Sequence, residues 1–219
     1  NALRELGKPE AAIADYDRAI AIRRDYAEAY NNRGNALREL GQLDAAIADY
    51  SKAIVIRPAY AQAHNNRGLA LHAMKNFDAA IADYNKAIAS KPDFAEAYNN
   101  RALAHRELRQ LEAALADLGK AVAVKADYAE AYYNRGNALR ELKQFEAATA
   151  DYGKAVALKP DYAEAYNNRG LAQRELMQLD AAMADFGKAI ALKPDLAETY
   201  FNRGNALREL NKSKAALVD

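Results

Sequence analysis

The chain has no cysteine. That excludes disulfides and thiolate metal sites, though it does not fix the compartment. Net charge is nearly absent as well: 31 Lys and Arg stand against 30 Asp and Glu, a formal +1. No strong field is there to recruit nucleic acid or an anionic membrane. No apolar run approaches the roughly 20 residues of a membrane span. No signal peptide is visible, and since the sequence opens inside a repeating unit this says nothing about export. The cytoplasm is the expected location. Glycine-rich phosphate loops, nucleophile elbows and zinc-binding helix motifs are all missing. Histidine occurs three times. His64 and His72 are separated by roughly 12 Å of helical rise, too far to share an ion, and His105 falls in the next unit. The expectation is no metal, no cofactor and no catalysis by this segment.

What the chain does have is a period of 34 residues. Ala27-Glu28-Ala29-Tyr30-Asn31-Asn32-Arg33-Gly34 returns as Ala61-Gln62-Ala63-His64-Asn65-Asn66-Arg67-Gly68, and again from Ala95, Ala129, Ala163 and Ala197. A fixed period of this length is the mark of a solenoid, whose units bury their apolar faces only by stacking on one another. Full units span 27–60, 61–94, 95–128, 129–162 and 163–196, with partial units at 1–26 and 197–219. The expected organisation is a single array over 1–219, an excerpt of a longer protein.

Within 27–60, Tyr30, Gly34, Leu37 and Leu40 fall at helical spacing, as do Leu43, Ala46, Ile47, Tyr50, Ala53, Ile54 and Ile56. Gly41-Gln42 reads as a tight turn between them, and Pro58 stops the second helix. Each unit is therefore a hairpin of helix A and helix B. Asp25/Glu28, Asp93/Glu96, Asp127/Glu130, Asp161/Glu164 and Asp195/Glu198 have capping-box spacing at the start of helix A. Ala59/Gln62 lacks the acid, so this junction is expected to fray most easily. Small residues mark close helix approach: Gly34, Gly68, Ala102, Gly136, Gly170 and Gly204 on helix A. On helix B they are Ala46, Ala80, Ala114, Ala148, Ala182 and Ala216, with Ala53, Ala87, Ala121, Ala155 and Ala189. Glycine inside a helix costs about 1 kcal/mol against alanine, so its recurrence implies that a side chain would not fit.

The order Tyr30, Gly34, Leu37, Ala46, Tyr50, Ala53, Pro58 resembles the tetratricopeptide repeat, over the whole chain. The resemblance implies an all-α fold: an α-solenoid of stacked antiparallel helix hairpins forming a right-handed superhelix, with helix A lining the concave face. One departure is systematic. Where the family usually has an apolar residue before the glycine, this chain has Arg33, Arg67, Arg101, Arg135, Arg169 and Arg203. Helix B carries Asp15, Asp49, Asp83, Asp117, Asp151, Asp185 and Asp219 at one place. Unmatched charges between packed helices are costly, so an Arg–Asp pair per hairpin is expected, within a unit or to the next.

Function is expected on helix A. Asn32, Asn66, Asn100, Asn134, Asn168 and Asn202 recur where asparagine is a poor helix former. A carboxamide both donates and accepts, so a row of them can hold the backbone of an extended peptide. The row resembles the asparagine ladder on the tetratricopeptide arm of O-linked N-acetylglucosamine transferases. The competing reading is that these amides bond neighbouring helices or face water. Tyr133 and Phe201 replace the asparagine found at 31, 65, 99 and 167. They would add apolar contacts for a ligand side chain, or else pack against the next helix A. Leu69, Leu103 and Leu171 alternate with Asn35, Asn137 and Asn205 at a place the family often uses for ligands. Arg38, Arg106, Arg140, Arg174 and Arg208, each followed by glutamate, read as a solvated edge or a groove rim. The family's carboxylate clamp does not match, because asparagine, aromatics and glutamate stand where its lysines belong. The leading expectation is a protein-interaction scaffold binding an extended or disordered protein segment along helix A. The alternatives are the substrate-docking arm of a larger glycosyltransferase-type enzyme and a structural solenoid with head-to-tail self-association. Nucleic acid and membrane are not expected partners.

Overall fold

The computed structural model describes residues 9–216, with side chains placed for 9–211. Among the described residues there are twelve α-helices and no strand. Contacts divide the chain into two compact halves between Gln110 and Leu111. The first half holds α1 (Pro9–Ile22), α2 (Ala27–Glu39), α3 (Leu43–Ile56), α4 (Ala61–Ala73), α5 (Phe77–Ser90) and α6 (Ala95–Glu107). The second holds α7 (Leu111–Val124), α8 (Ala129–Glu141), α9 (Phe145–Leu158), α10 (Ala163–Glu175), α11 (Leu179–Leu192) and α12 (Ala197–Ala216). Within each half every helix packs on the next in sequence, and each helix A also touches the following helix A. This is an α-solenoid of helix hairpins.

The core is built from the small residues and one large one. Ala46, Tyr50 and Ala53 are fully buried, and Ala80, Tyr84 and Ala87 repeat the pattern one unit on. Tyr50 clusters with Ala46 of its own helix and Ala70 of the next helix A. A Cβ added to Gly34 would lie 2.7 Å from the Tyr50 ring, and one on Gly68 2.6 Å from Tyr84. The helix A glycine is thus the seat of the helix B aromatic. Gly204 has nothing within 4 Å among the described residues.

Helix A ends in a Schellman motif, in which the Gly41 N–H donates to the Arg38 carbonyl (3.0 Å) and the Gln42 N–H to that of Leu37 (2.9 Å). Gly41 is left-handed at φ 74°, which glycine adopts without strain. Lys75, Arg109, Lys143 and Met177 take the same place at φ 58° to 61°. The last unit differs from the expected hairpin: α12 runs on through Asn211, the turn position, to Ala216.

The capping boxes expected at 25/28, 93/96, 127/130 and 161/164 are not formed. The N-cap of α2 is Tyr26, not Asp25, and it makes no side-chain cap bond; Tyr60, Phe94, Tyr128 and Tyr162 stand alike. The acid lies one residue too early, inside the interhelical turn. Instead the Glu28 carboxylate accepts from Arg57 and from its own backbone N–H, and both hold its pKa below the ordinary value. Glu164 accepts from its own N–H and, at 3.2 Å, from Lys193. The aromatic N-cap carries a cation over its ring: Arg57 on Tyr60, Lys91 on Phe94 and Lys159 on Tyr162, at 4.8 to 4.9 Å. Since none of these junctions uses an aspartate cap, the missing acid at Ala59 removes no cap. Ala216 and Asp219 have side chains outside the described residues.

Candidate functional site

Helix A is held to helix B by a two-pronged ion pair. Arg33 donates from Nε and Nη2 to the two oxygens of Asp49 at 2.7 and 2.6 Å. Arg67 holds Asp83, Arg135 holds Asp151 and Arg169 holds Asp185 in the same way, all at 2.6 to 2.7 Å. The pairing expected from the sequence is therefore realised within the hairpin. The third nitrogen of the fork reaches backwards: Arg33 Nη1 meets Asp17 (2.5 Å), Arg67 Nη1 meets Ser51 (3.0 Å) and Arg101 Nη1 meets Asn85 (2.6 Å). Arg33 and Arg67 thereby each tie two successive helices B together. Most also stack on the tyrosine three residues before, as Arg33 does on Tyr30 at 5.6 Å. His64 takes that tyrosine's place in α4 and is buried. Its Nδ1 lies 3.2 Å from Asp83 and its Nε2 3.0 Å from the Pro58 carbonyl oxygen. Burial alone would push the Asp83 carboxyl up, but the hydrogen bonds from Arg67 and His64 outweigh it and hold the pKa below the ordinary value.

Within each half, the asparagines form a row that links a helix A to the one before. Asn66 Nδ2 donates to Asn31 Oδ1 (3.0 Å), Asn100 to Asn65 (3.0 Å) and Asn202 to Asn167 (3.1 Å). Asn168 donates to Asn137 Oδ1 (2.9 Å) and to the Tyr133 hydroxyl (3.1 Å). The bonding between neighbouring helices weighed from the sequence is thus present. Asn31, Asn65, Asn99 and Asn167, the doubled positions, are buried, whereas Asn32, Asn66, Asn100, Asn134 and Asn168 are half-exposed. Asn202 is buried and drops out of the surface row. Tyr133 faces inward, 4.8 Å from the Tyr162 ring and 6.0 Å from Tyr152. Phe201 is 69% exposed and stands beside exposed Tyr200 and Leu207 on α12.

The alternation of leucine and asparagine at 35, 69, 137 and 171 has a structural cause. Asn35 accepts from the buried Tyr50 hydroxyl (2.9 Å) and Asn137 from that of Tyr152 (2.8 Å). Leu171 goes with Phe186, which has no hydroxyl to satisfy. Leu69 breaks the rule, and the Tyr84 hydroxyl is buried without a partner among the described residues. Burial raises its pKa well above the ordinary phenol range. Tyr84→Phe should therefore raise stability by about 1 kcal/mol, while Tyr152→Phe, which loses a made bond, should lower it by about as much. Urea unfolding midpoints check this: equal shifts of one sign would refute the assignment.

Of the arginines in the last helix A turn, Arg208 is exposed, as a solvated edge would be, and the others are not. Arg38, Arg140 and Arg174 are half-buried. Arg140 and Arg174 line a cleft of about 260 Å³ with Lys143, Phe145 and Leu171, flanked by Glu141 and Glu175. The groove-rim alternative weighed for the arginine row fits Arg140 and Arg174; the apolar wall at Phe145 had no signal in the repeat pattern. Among the described residues no group of three His, Asp or Glu side chains gathers as a metal site. Nor is any helix long and apolar enough to cross a membrane.

Known proteins of the same architecture fit this geometry. The structure matches YrrB, described as a tetratricopeptide-repeat protein with an unusual peptide-binding site, with TM-score 0.69 and 22% identity over 86% of this chain and 97% of that one. MamA matches with TM-score 0.68 and 27% identity over 78% and 94%. TTC0263 of Thermus thermophilus, described as a thermophilic tetratricopeptide-repeat protein, matches with TM-score 0.65 and 24% identity over 83% and 98%. No curated protein matches the chain. The family model described as "TPR repeat" matches residues 1–37, 34–75, 104–139 and 136–176. Those described as "Tetratricopeptide repeat" match 61–94 and 163–196, and 83–116. With its period, its glycine-seated aromatics and these matches, the chain belongs to the tetratricopeptide repeat family.

Proposed function

We propose that this chain is a protein-interaction scaffold that binds an extended polypeptide along its helix A face, with Asn32, Asn66, Asn100, Asn134 and Asn168 as the main-chain contacts. The observation that carries this reading is the half-exposed carboxamide row. Each bond from Asn66 to Asn31, or from Asn100 to Asn65, uses one of two amide donors and fixes the group's orientation. A fixed carboxamide loses little freedom when it takes up a ligand's peptide group, so affinity is gained without an ordering cost. Main-chain recognition tolerates any sequence, and the neighbouring side chains then set preference. YrrB, similar in fold, is described as having a peptide-binding site.

The test is Asn66→Ala with Asn100→Ala, read by fluorescence anisotropy of a labelled disordered peptide. Binding should weaken by about tenfold, as expected for the loss of a hydrogen bond or two worth about 1 kcal/mol each. Unchanged affinity with intact helicity would remove the row from the binding face.

A further inference from the structure

Three side-chain nitrogens of the last helix A turn are buried without a hydrogen-bond partner among the described residues: Arg38 Nε, His72 Nε2 and Arg140 Nε. They share a feature of sequence. At a fixed distance along the chain, in the next helix A, each is followed by leucine: Leu69, Leu103 and Leu171. Arg174 is followed there by Asn205, and its Nε lies 4.0 Å from Glu209 Oε2. For Arg38 and Arg140, the two guanidinium groups among them, the described residues bring no acceptor to the buried nitrogen. A buried charged donor left without one is costly, so an acceptor brought from outside is favoured there.

At Arg140 this coincides with the cleft at the C-terminal ends of α8 and α10 and the start of α9. Phe145 and Leu171 give it apolar wall, and Arg140, Lys143 and Arg174 give it positive charge. Arg174 is already engaged, its Nη2 donating to Glu175 at 3.1 Å. Glu141 and Glu175 beside the cleft oppose a multiply charged anion such as phosphate. A single carboxylate on an aliphatic stem satisfies both the wall and the guanidinium. Leu171 also stands one helical turn beyond Asn168, on the same side of α10. We propose that this cleft receives a glutamate side chain of the bound polypeptide, its methylenes against Phe145 and Leu171 and its carboxylate on Arg140. This rests on the polypeptide-binding reading above and gives it a preference: acidic, extended segments.

The experiment uses three labelled twelve-residue Gly-Ser peptides carrying, at every fourth place, Glu, Gln or Lys. Anisotropy should show the Glu peptide bound about tenfold more tightly than the Gln peptide, and the Lys peptide weakest. Arg140→Gln should remove the Glu–Gln gap. Leu171→Asn should narrow the gap while keeping the charge, because it takes the apolar wall away from the glutamate methylenes. A gap that survives both variants, or equal binding of the Glu and Gln peptides, overturns the cleft. The two readings separate cleanly. Equal binding of all peptides that still falls in the Asn66/Asn100 variant retains the asparagine row alone. A gap that depends on Arg140 but is indifferent to that variant retains the cleft alone.

Discussion

Gly136→Ala should destabilise the protein by about 2 kcal/mol, although alanine is the better helix former. The added Cβ would sit 2.6 Å from the Tyr152 ring. That ring is fully buried between helices, and its hydroxyl is fixed by Asn137 at 2.8 Å, so it has nowhere to move. Overpacking at about 3 kcal/mol outweighs a helix-propensity gain of about 1 kcal/mol. The sequence contains its own control. At the one full repeat where alanine stands in the glycine place, Ala102, the residue in the aromatic place is Leu118. Gly136→Ala combined with Tyr152→Leu should therefore be more stable than the sum of the two single losses predicts, by more than about 1 kcal/mol of coupling. Strict additivity in urea unfolding would show that glycine and aromatic are not matched.

Asp83→Ala should cost about 3 kcal/mol. It leaves the Arg67 guanidinium, 26% exposed, without its fork partner, and His64 Nδ1 without its carboxylate. Stranding one member of a buried pair costs about 3–5 kcal/mol, and the partial exposure of Arg67 places this site at the low end. The effect has a pH signature. Because the folded Asp83 pKa is depressed, the unfolded chain binds this proton more readily. The stabilisation is fully present above the unfolded carboxyl pKa of about 4 and is lost as the pH falls through the lower folded value. The gap between wild type and Asp83→Ala should accordingly narrow below about pH 4. A gap that is constant from pH 7 to pH 3 would mean that the loss comes from packing, not charge.

Much of the fold was legible because the repeat supplies many copies of each signal. Helix A starts at Ala27, Ala61, Ala95, Ala129 and Ala163, at the phase the period gives. The arginine fork followed from charge placed opposite charge. The capping boxes failed for a local reason. Spacing cannot say whether Asp25 or Tyr26 is the first half-helical residue, and here the aromatic takes that place because its ring packs into the hairpin junction, as Tyr60 does against Ala27 and Ala53. The site was less legible. Asparagine in a helix signals a polar task, but whether the amide serves a neighbour or a ligand depends on distances that a linear pattern does not carry. Tyr133 differs from Phe201 in the same way: both break the pattern, yet one closes over Tyr152 and the other stands in the open.

The backward reach of the helix A arginine sets how firmly one hairpin feels the next. In the first half the receiving residues are Asp17, Ser51 and Asn85, all able to accept. In the second half glycine stands there, at 119 and 153, and a Cβ built on Gly153 would meet Arg169 Nη1 only at 3.7 Å. In a one-dimensional stack, stability is the intrinsic stability of each repeat plus a nearest-neighbour coupling. The glycine junctions lack one term of that coupling. Neighbouring hairpins should accordingly be coupled more weakly in the second half than in the first.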